Sequence, residues 1–274
     1  MLLSLLTNLT LLNDRHIKLF KEYPVEMISS SIYGCTKETY ESVTGIKGSY
    51  DKFIKALDML KCNDIPFELK FIVLKQNYSE IDKVRDFFQI YNVPITIYTD
   101  IHAANDGSTS PIDYRISVEE AFSFDKSNTD RQRYWSDMAK GILDGSISPY
   151  PKRATERFKD GYLYPCSIAY QEVYITSDCK MQGCVRVPYY QYDLRKGDFD
   201  EGWEYLKKMT LDKKATKSYR CLTCENTRFC QHCIGKFMLS NGNEESIDPY
   251  TCMMAKLRKE LVFDKIKEYK KTTN

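Results

Sequence analysis

SYDKFIKALDMLKC (49–62), followed after a short gap by PFELKFIV (66–73), decides the fold class. In the first segment Tyr50, Phe53, Ile54, Leu57 and Leu60 recur at i, i+3, i+4, i+7 and i+10, which gathers the apolar side chains on one face of a helix. Ser49, after Gly48, can cap that helix, and it ends near Asn63, ahead of Pro66. In the second segment Phe67, Leu69, Phe71 and Val73 alternate with Glu68, Lys70 and Ile72, the two-residue period of a strand. A helix feeding a strand in this way is one unit of an α/β fold.

The same alternation extends outward. Residues 2–6 are a short apolar run, and Leu12, Asn13 and Ile17 then occupy the N′, N-cap and N4 positions of a stapled helix start. Residues 25–32 read as the next strand. Asn77 and Glu80 resemble a capping pair for a helix carried by Ile81, Val84 and Phe88, and residues 94–98 are a further strand. Strands joined by helices of this length need right-handed crossovers, so the sheet is expected to be parallel. Turn formers at Asn105-Asp106-Gly107-Ser108, with Pro111 behind them, mark a boundary. Residues 118–145 look helical, and residues 170–175 and 181–187 read as a hairpin that delivers Cys184 on its second strand. No repeat or low-complexity tract occurs.

A chain of 274 residues with 42% hydrophobic residues and a net charge of +2 can bury a full core in one or two domains. Lysines and carboxylates are interspersed, and residues 256–271 alternate in sign as a solvated helix face does, so nucleic acid is not an expected partner. Residues 1–12 lack the basic flank and small-residue cleavage site of a signal peptide, and Thr7-Asn8 interrupts them; a buried strand is expected there. No stretch reaches the roughly 20 apolar residues that cross a bilayer, and a reducing cytoplasm is the expected setting.

Eight of the ten cysteines fall at Cys166, Cys179, Cys184, Cys221, Cys224, Cys230, Cys233 and Cys252. Thiolates at C-x-x-C spacing bind a metal atom or cluster from one turn of backbone, and Cys221–Cys224 and Cys230–Cys233 supply two such pairs. A disulfide framework is disfavoured, because such frameworks belong mostly to short secreted domains. A structural zinc knuckle on the 221–233 run is the competing reading from a different class, an interaction module; it leaves Cys166, Cys179, Cys184 and Cys252 without a role.

Taken in order, these segments resemble the radical S-adenosylmethionine enzymes. Leu5-Leu6-Thr7-Asn8 resembles the family's strand ending in T-N-G. Ile28-Ser29-Ser30-Ser31-Ile32-Tyr33-Gly34, with the stretch Thr39 to Gly45 and Gly48-Ser49-Tyr50 behind it, resembles the i-S-l-Y-G…e-T-y-e-k-v-t-G…G-s-f stretch. Val73 to Asn77 resembles v-x-x-k-Q-N. Cys166, Cys179 and Cys184, then Cys221, Cys224, Cys230, Cys233 and Cys252, resemble the SPASM-type auxiliary-cluster domain of peptide-modifying members. The chain departs from the family in four places. No C-x-x-x-C-x-x-C loop is present, Leu9 replaces the glycine of T-N-G, Cys179 replaces a hairpin glycine, and Cys230 and Cys233 are spaced C-x2-C rather than C-x3-C.

The resemblance implies an α/β fold: a partial (β/α) barrel with a parallel sheet over residues 1–110, a helical linker over 111–160, and a small cysteine-rich α+β iron–sulfur domain over 161–274. The chain would begin in the third barrel strand, as an N-terminally truncated member, leaving the outer edge of the first strand open to self-association. Cys221, Cys224, Cys230 and Cys252 would hold one auxiliary 4Fe-4S cluster and Cys166, Cys184 and Cys233 another, with Cys179 as its potential fourth thiolate. Thr7, Asn8, Ser31, Gln76 and Asn77 lie at carboxyl ends of strands, where open α/β sheets place ligands, and the resemblance implies S-adenosylmethionine contacts there. Taken alone, Asn77 reads more readily as an N-cap. His232 reads as a neighbour of the metal ligands rather than a ligand. The partner implied is a ribosomal peptide; a non-catalytic peptide-binding role remains open because the loop that donates the electron is missing.

Overall fold

The computed structural model describes residues 2–147, 156–158 and 160–272. The chain divides into two units, residues 1–101 with 113–116, and residues 102–112 with 117–274.

The first unit runs β1 (Ser4–Leu6), α1 (Asp14–Glu22), β2 (Met27–Ile32), α2 (Lys37–Thr44), α3 (Ser49–Cys62), β3 (Phe67–Ile72), α4 (Val84–Phe88) and β4 (Ile95–Tyr98). Its sheet is parallel throughout, in the order β1-β2-β3-β4, with Leu5 beside Ile28, Ile28 beside Phe67, and Leu69 beside Ile95. Spatial order follows chain order, as successive strand–helix units dictate. Phe53, Leu57 and Leu60 on α3 and Ile28, Ile32, Leu69 and Phe71 on the strands are 0% exposed. At about 1.5–3 kcal/mol for each buried side chain, this face holds the layers together.

Asn13 caps α1, accepting from the Arg15 and His16 N–H groups at 3.1 and 3.4 Å. Three expectations need correction. Gly48, not Ser49, is the N-cap of α3; Ser49 is its first residue, and its hydroxyl meets Thr44 Oγ1 at 2.8 Å. Asn77 does not cap with its side chain; a 3-10 turn, Tyr78–Glu80, follows it, and the helix shortens to α4. Glu80 instead turns its buried carboxylate to the Cys35 N–H at 2.5 Å and the Thr39 hydroxyl at 2.7 Å, bonds that outcompete a capping box. Finally, residues 2–6 do contain a strand, but Leu2 and Leu6 are each 80% exposed. β1 is the edge of its sheet, so only one of its flanks is covered.

In the second unit the helical stretch 118–145 is two helices, α5 (Val118–Ser127) and α6 (Thr129–Leu143). Asn128 is extended at the break and its side chain caps α6 through the Arg131 N–H at 3.2 Å. The order continues with β5 (Tyr174–Ile175), β6 (Lys180–Gln182), β7 (Gln191–Asp193), α7 (Phe199–Met209), α8 (Ile234–Asn241) and α9 (Pro249–Thr272), the three strands forming an antiparallel sheet. One core gathers Tyr164, Ile168, Met181, Leu206, Tyr219 and Ile234; a second joins Trp135 and Met138 of α6 to Val262 and Ile266 of α9. Beside the latter, Arg258 pairs with the wholly buried Asp125 at 2.6 Å. Cys184 does not lie on a strand: β6 ends at Gln182, and Cys184 follows Gly183, where a Cβ would lie 2.7 Å from Ile168. No helix among the described residues is long and apolar enough to cross a membrane.

Candidate functional site

Local turns bring the C-terminal cysteines together. Cys221 lies within, and Cys224 just after, a 3-10 turn, Arg220–Thr223, closed by the Cys224 N–H on the Cys221 carbonyl at 3.4 Å. The Thr227 N–H and hydroxyl both bond the Cys224 carbonyl, at 3.3 and 2.6 Å, and a second 3-10 turn, Thr227–Phe229, presents Cys230. Cys252 arrives from the first turn of α9, its N–H on the Asp248 carbonyl at 3.0 Å. These four thiols act on one another electrostatically. Burial is the largest cause raising Cys221, Cys230 and Cys252, and neighbouring thiols of the same four add to it; Cys230 is pushed up to about 12.

Cys166, Cys184 and Cys233 form a second group. Cys233 is the N-cap of α8, and a Cβ at the next-but-one residue, Gly235, would strike the Arg186 carbonyl, so the start of α8 rests on the segment that follows Cys184. A Cβ at Gly183 would lie 2.7 Å from Ile168, which sets Cys184 against the segment that carries Cys166. Burial raises the Cys166 and Cys184 thiols, with Cys233 adding to both. Cys179 stands apart. It is exposed in the hairpin turn with φ 62°, and its electrostatic neighbour is Arg195.

Crowded thiols that resist ionising together suit a cationic, thiophilic centre whose charge would replace their protons. Among the described residues no three His, Cys, Asp or Glu side chains are already gathered about one metal ion. An all-thiol donor set suits a thiophilic centre, an iron–sulfur cluster or a four-thiolate zinc site.

Sequence reasoning missed two groups beside the four-cysteine set. Tyr219, buried, places its hydroxyl 2.9 Å from His232 Nε2 and hydrogen-bonds the Cys221 thiol. Lys236, on α8, is also buried. Neither carries a sequence signal beyond proximity to a cysteine. His232 is enclosed by Phe158 and Phe237, at ring separations of 5.3 and 5.2 Å, and burial pushes its pKa down to about 4, so it is neutral.

In the first unit the polar strand ends occupy adjacent parallel strands. Thr7 follows β1, its N–H on the Ser29 carbonyl at 3.1 Å and its hydroxyl accepting from the Leu9 N–H at 3.1 Å. Asn8 closes on Thr10 through the N–H and hydroxyl, at 3.2 and 2.9 Å. Ser31 is half-buried on β2 beside Lys70, and Gln76 is exposed. Asn77 is wholly buried, with both side-chain N–H donors committed to the Tyr33 and Ile72 carbonyls.

By fold, the chain is a parallel strand–helix sheet followed by a cysteine-rich unit, an arrangement similar to that of solved proteins with bound AdoMet. Among individual proteins, it is 24% identical over 260 residues to the "AdoMet-dependent heme synthase" of Methanosarcina barkeri (strain Fusaro / DSM 804), covering 90% of this chain and 73% of that one. Its fold is similar to that of anSMEcpe with bound AdoMet (TM-score 0.62, 17% identity, 97% of this chain and 71% of the other). It is also similar to Streptococcus suis SuiB bound to precursor peptide SuiA (TM-score 0.63, 16% identity, 90% of this chain and 58% of the other). No protein-family model matches the sequence.

Proposed function

We propose that the chain serves a radical S-adenosylmethionine enzyme that modifies a ribosomal peptide in the cytoplasm, and that its second unit holds auxiliary 4Fe-4S clusters. Cys221, Cys224, Cys230 and Cys252 would hold one, and Cys166, Cys184 and Cys233 the protein side of another. The observation that carries this reading is the sorting of seven thiols, drawn from distant positions, into groups of four and three. Such clusters, when bound, pass single electrons. The protein's own contribution is to hold the thiols, exclude water with the Tyr219 and His232 rings, and offer Thr7, Asn8, Ser31 and Gln76 at the strand ends for S-adenosylmethionine, while the buried Asn77, its side chain fully committed, fixes those ends rather than contacting the cofactor. The fold shared with SuiB, whose structure contains a precursor peptide, supports the peptide substrate.

Anaerobic reconstitution with iron and sulfide tests the assignment. The expected result is a brown protein with about eight irons per chain, from which Cys224→Ala and Cys184→Ala each remove about half. Colourless protein with stoichiometric zinc and no retained iron would favour a structural zinc module.

A second substrate reading, a tetrapyrrole, is favoured by the likeness to the heme synthase over most of this chain. A Soret-band shift when an iron porphyrin is added at micromolar protein would favour it over a peptide. We further propose self-association through β1, an edge strand of its sheet, whose Leu6 is 80% exposed. Leu6→Lys is expected to raise the monomer fraction in light scattering; a wild-type protein already monomeric at micromolar concentration would exclude it.

A further inference from the structure

Lys236 is 1% exposed. It lies in α8, three residues beyond Cys233, and lysines are almost never shut away unless paired. Its ammonium donates to Thr251 Oγ1 at 2.9 Å and lies 3.5 Å from Asp248 Oδ2, and the Thr251 hydroxyl donates to Asp248 at 2.6 Å. Thr251 and Asp248 adjoin the four-cysteine set through the backbone, and Lys236 reaches it through Thr251, from a helix capped by Cys233 of the three-thiol group. Thr251 directly precedes Cys252, and the Asp248 carbonyl accepts the Cys252 N–H.

The ammonium is thus held on the side chain of the residue before Cys252, and Asp248 holds the Cys252 N–H. Arg220 also bears on Cys221 and Cys252, but it is exposed, where salt screens a charge over about 10 Å. The buried charge is shielded far less. If α8 needed only an anchor to α9, an apolar side chain would fill the same space without taking a charge out of water.

We infer that Lys236 sets the reduction potential of the cluster held by Cys221, Cys224, Cys230 and Cys252, its fixed positive charge stabilising the reduced and more negative state. This rests on the cluster assignment proposed above. Each added electron makes the thiolate-ligated cluster more negative by one charge, so a nearby ammonium favours reduction and a nearby carboxylate opposes it. Lys236 and Asp248 thus act with opposite signs, and the midpoint reflects their balance.

The test is a redox titration, followed by electron paramagnetic resonance, of the full reconstituted chain after iron and sulfide per chain have been measured. It is read in both the wild-type and Cys184→Ala backgrounds, so that the second thiol group does not obscure the signal. Lys236→Met should shift the reduction equilibrium at least tenfold toward the oxidised form, about 59 mV for one electron. Lys236→Arg should hold the midpoint near wild type, and Asp248→Asn, which keeps an acceptor for Thr251, should move it the opposite way. A wild-type chain that takes up no iron overturns the cluster assignment itself. A loaded chain whose midpoint is unmoved by Lys236→Met, or moved in one direction by both Lys236→Met and Asp248→Asn, overturns the role of Lys236 alone. Should Lys236→Met fail to fold, the sign of the Asp248→Asn shift decides.

Discussion

The side chain of Asn77 donates to the carbonyl of Tyr33 at 2.9 Å, joining residues 44 positions apart. Its second N–H holds the Ile72 carbonyl at 2.9 Å, and its oxygen accepts from the Leu74 N–H at 2.7 Å. One buried amide therefore clips the ends of β2 and β3. Asn77→Ala would leave these three backbone groups without their partner, and we expect a loss of about 3 kcal/mol or more of unfolding free energy. A lower denaturant midpoint at unchanged slope would register it. Asn77→Asp should be at least as costly, because a carboxylate oxygen would face carbonyls where donors now stand.

Cys179 occupies the left-handed region, at φ 62°, in a position where the family resemblance has glycine. Cys179→Gly should therefore raise stability by about 1 kcal/mol, since the exposed thiol has little packing to lose. Iron content at wild-type level in this variant would separate Cys179 from the ligand set, and a loss of iron would make it the fourth thiolate. Leu9, at the same φ but 2% exposed, is the contrasting case. There, glycine would relieve the backbone but forfeit about 2 kcal/mol of burial, for a net loss.

Cys35 and Cys62 should differ sharply in reactivity. Cys35 is buried, and burial first, then Glu80, push its thiol up to about 12, while Cys62 is exposed. Iodoacetamide at pH 8 should label Cys62 in the native chain and spare Cys35 until denaturant is added; mass spectrometry of the peptides reads both. Because the folded state keeps the Cys35 proton while the unfolded chain releases it near pH 8.5, this thiol's contribution to stability is complete below that pH and is lost as pH rises toward 12.

The sequence contains no C-x-x-x-C-x-x-C loop, and the chain alone is expected not to cleave S-adenosylmethionine reductively, even with dithionite. Chromatographic assay of 5′-deoxyadenosine against a no-protein control measures this. Product above the control would mean that cysteines placed in the two groups above can form a site-differentiated cluster.

Periodicity made the parallel sheet and the α3 face legible, because Phe53, Leu57, Leu69 and Phe71 each report burial through spacing alone. The grouping of thiols was legible only through family likeness: nothing local tells that Cys230 sides with Cys252 while Cys233 sides with Cys166. That division is made by tertiary contacts at Gly183 and Gly235, whose missing Cβ atoms permit close approach. Capping patterns misled at Asn77 and Glu80, since a buried side chain takes whichever unpaired backbone group lies nearest, and that group can be distant in sequence. Lys236 was illegible for the same reason: a lysine reads as surface until its ammonium is found among Thr251 and Asp248.

Cys230 and Cys233 are separated by only Gln231 and His232, yet they face different thiol groups, and the intervening imidazole is locked between two phenyl rings. The peptide between them is too short to let one end adjust without the other. Filling either group should thus pre-order the other, so that the second is filled more tightly than the first. A chain with one group disabled would still load the other, but at a higher iron concentration.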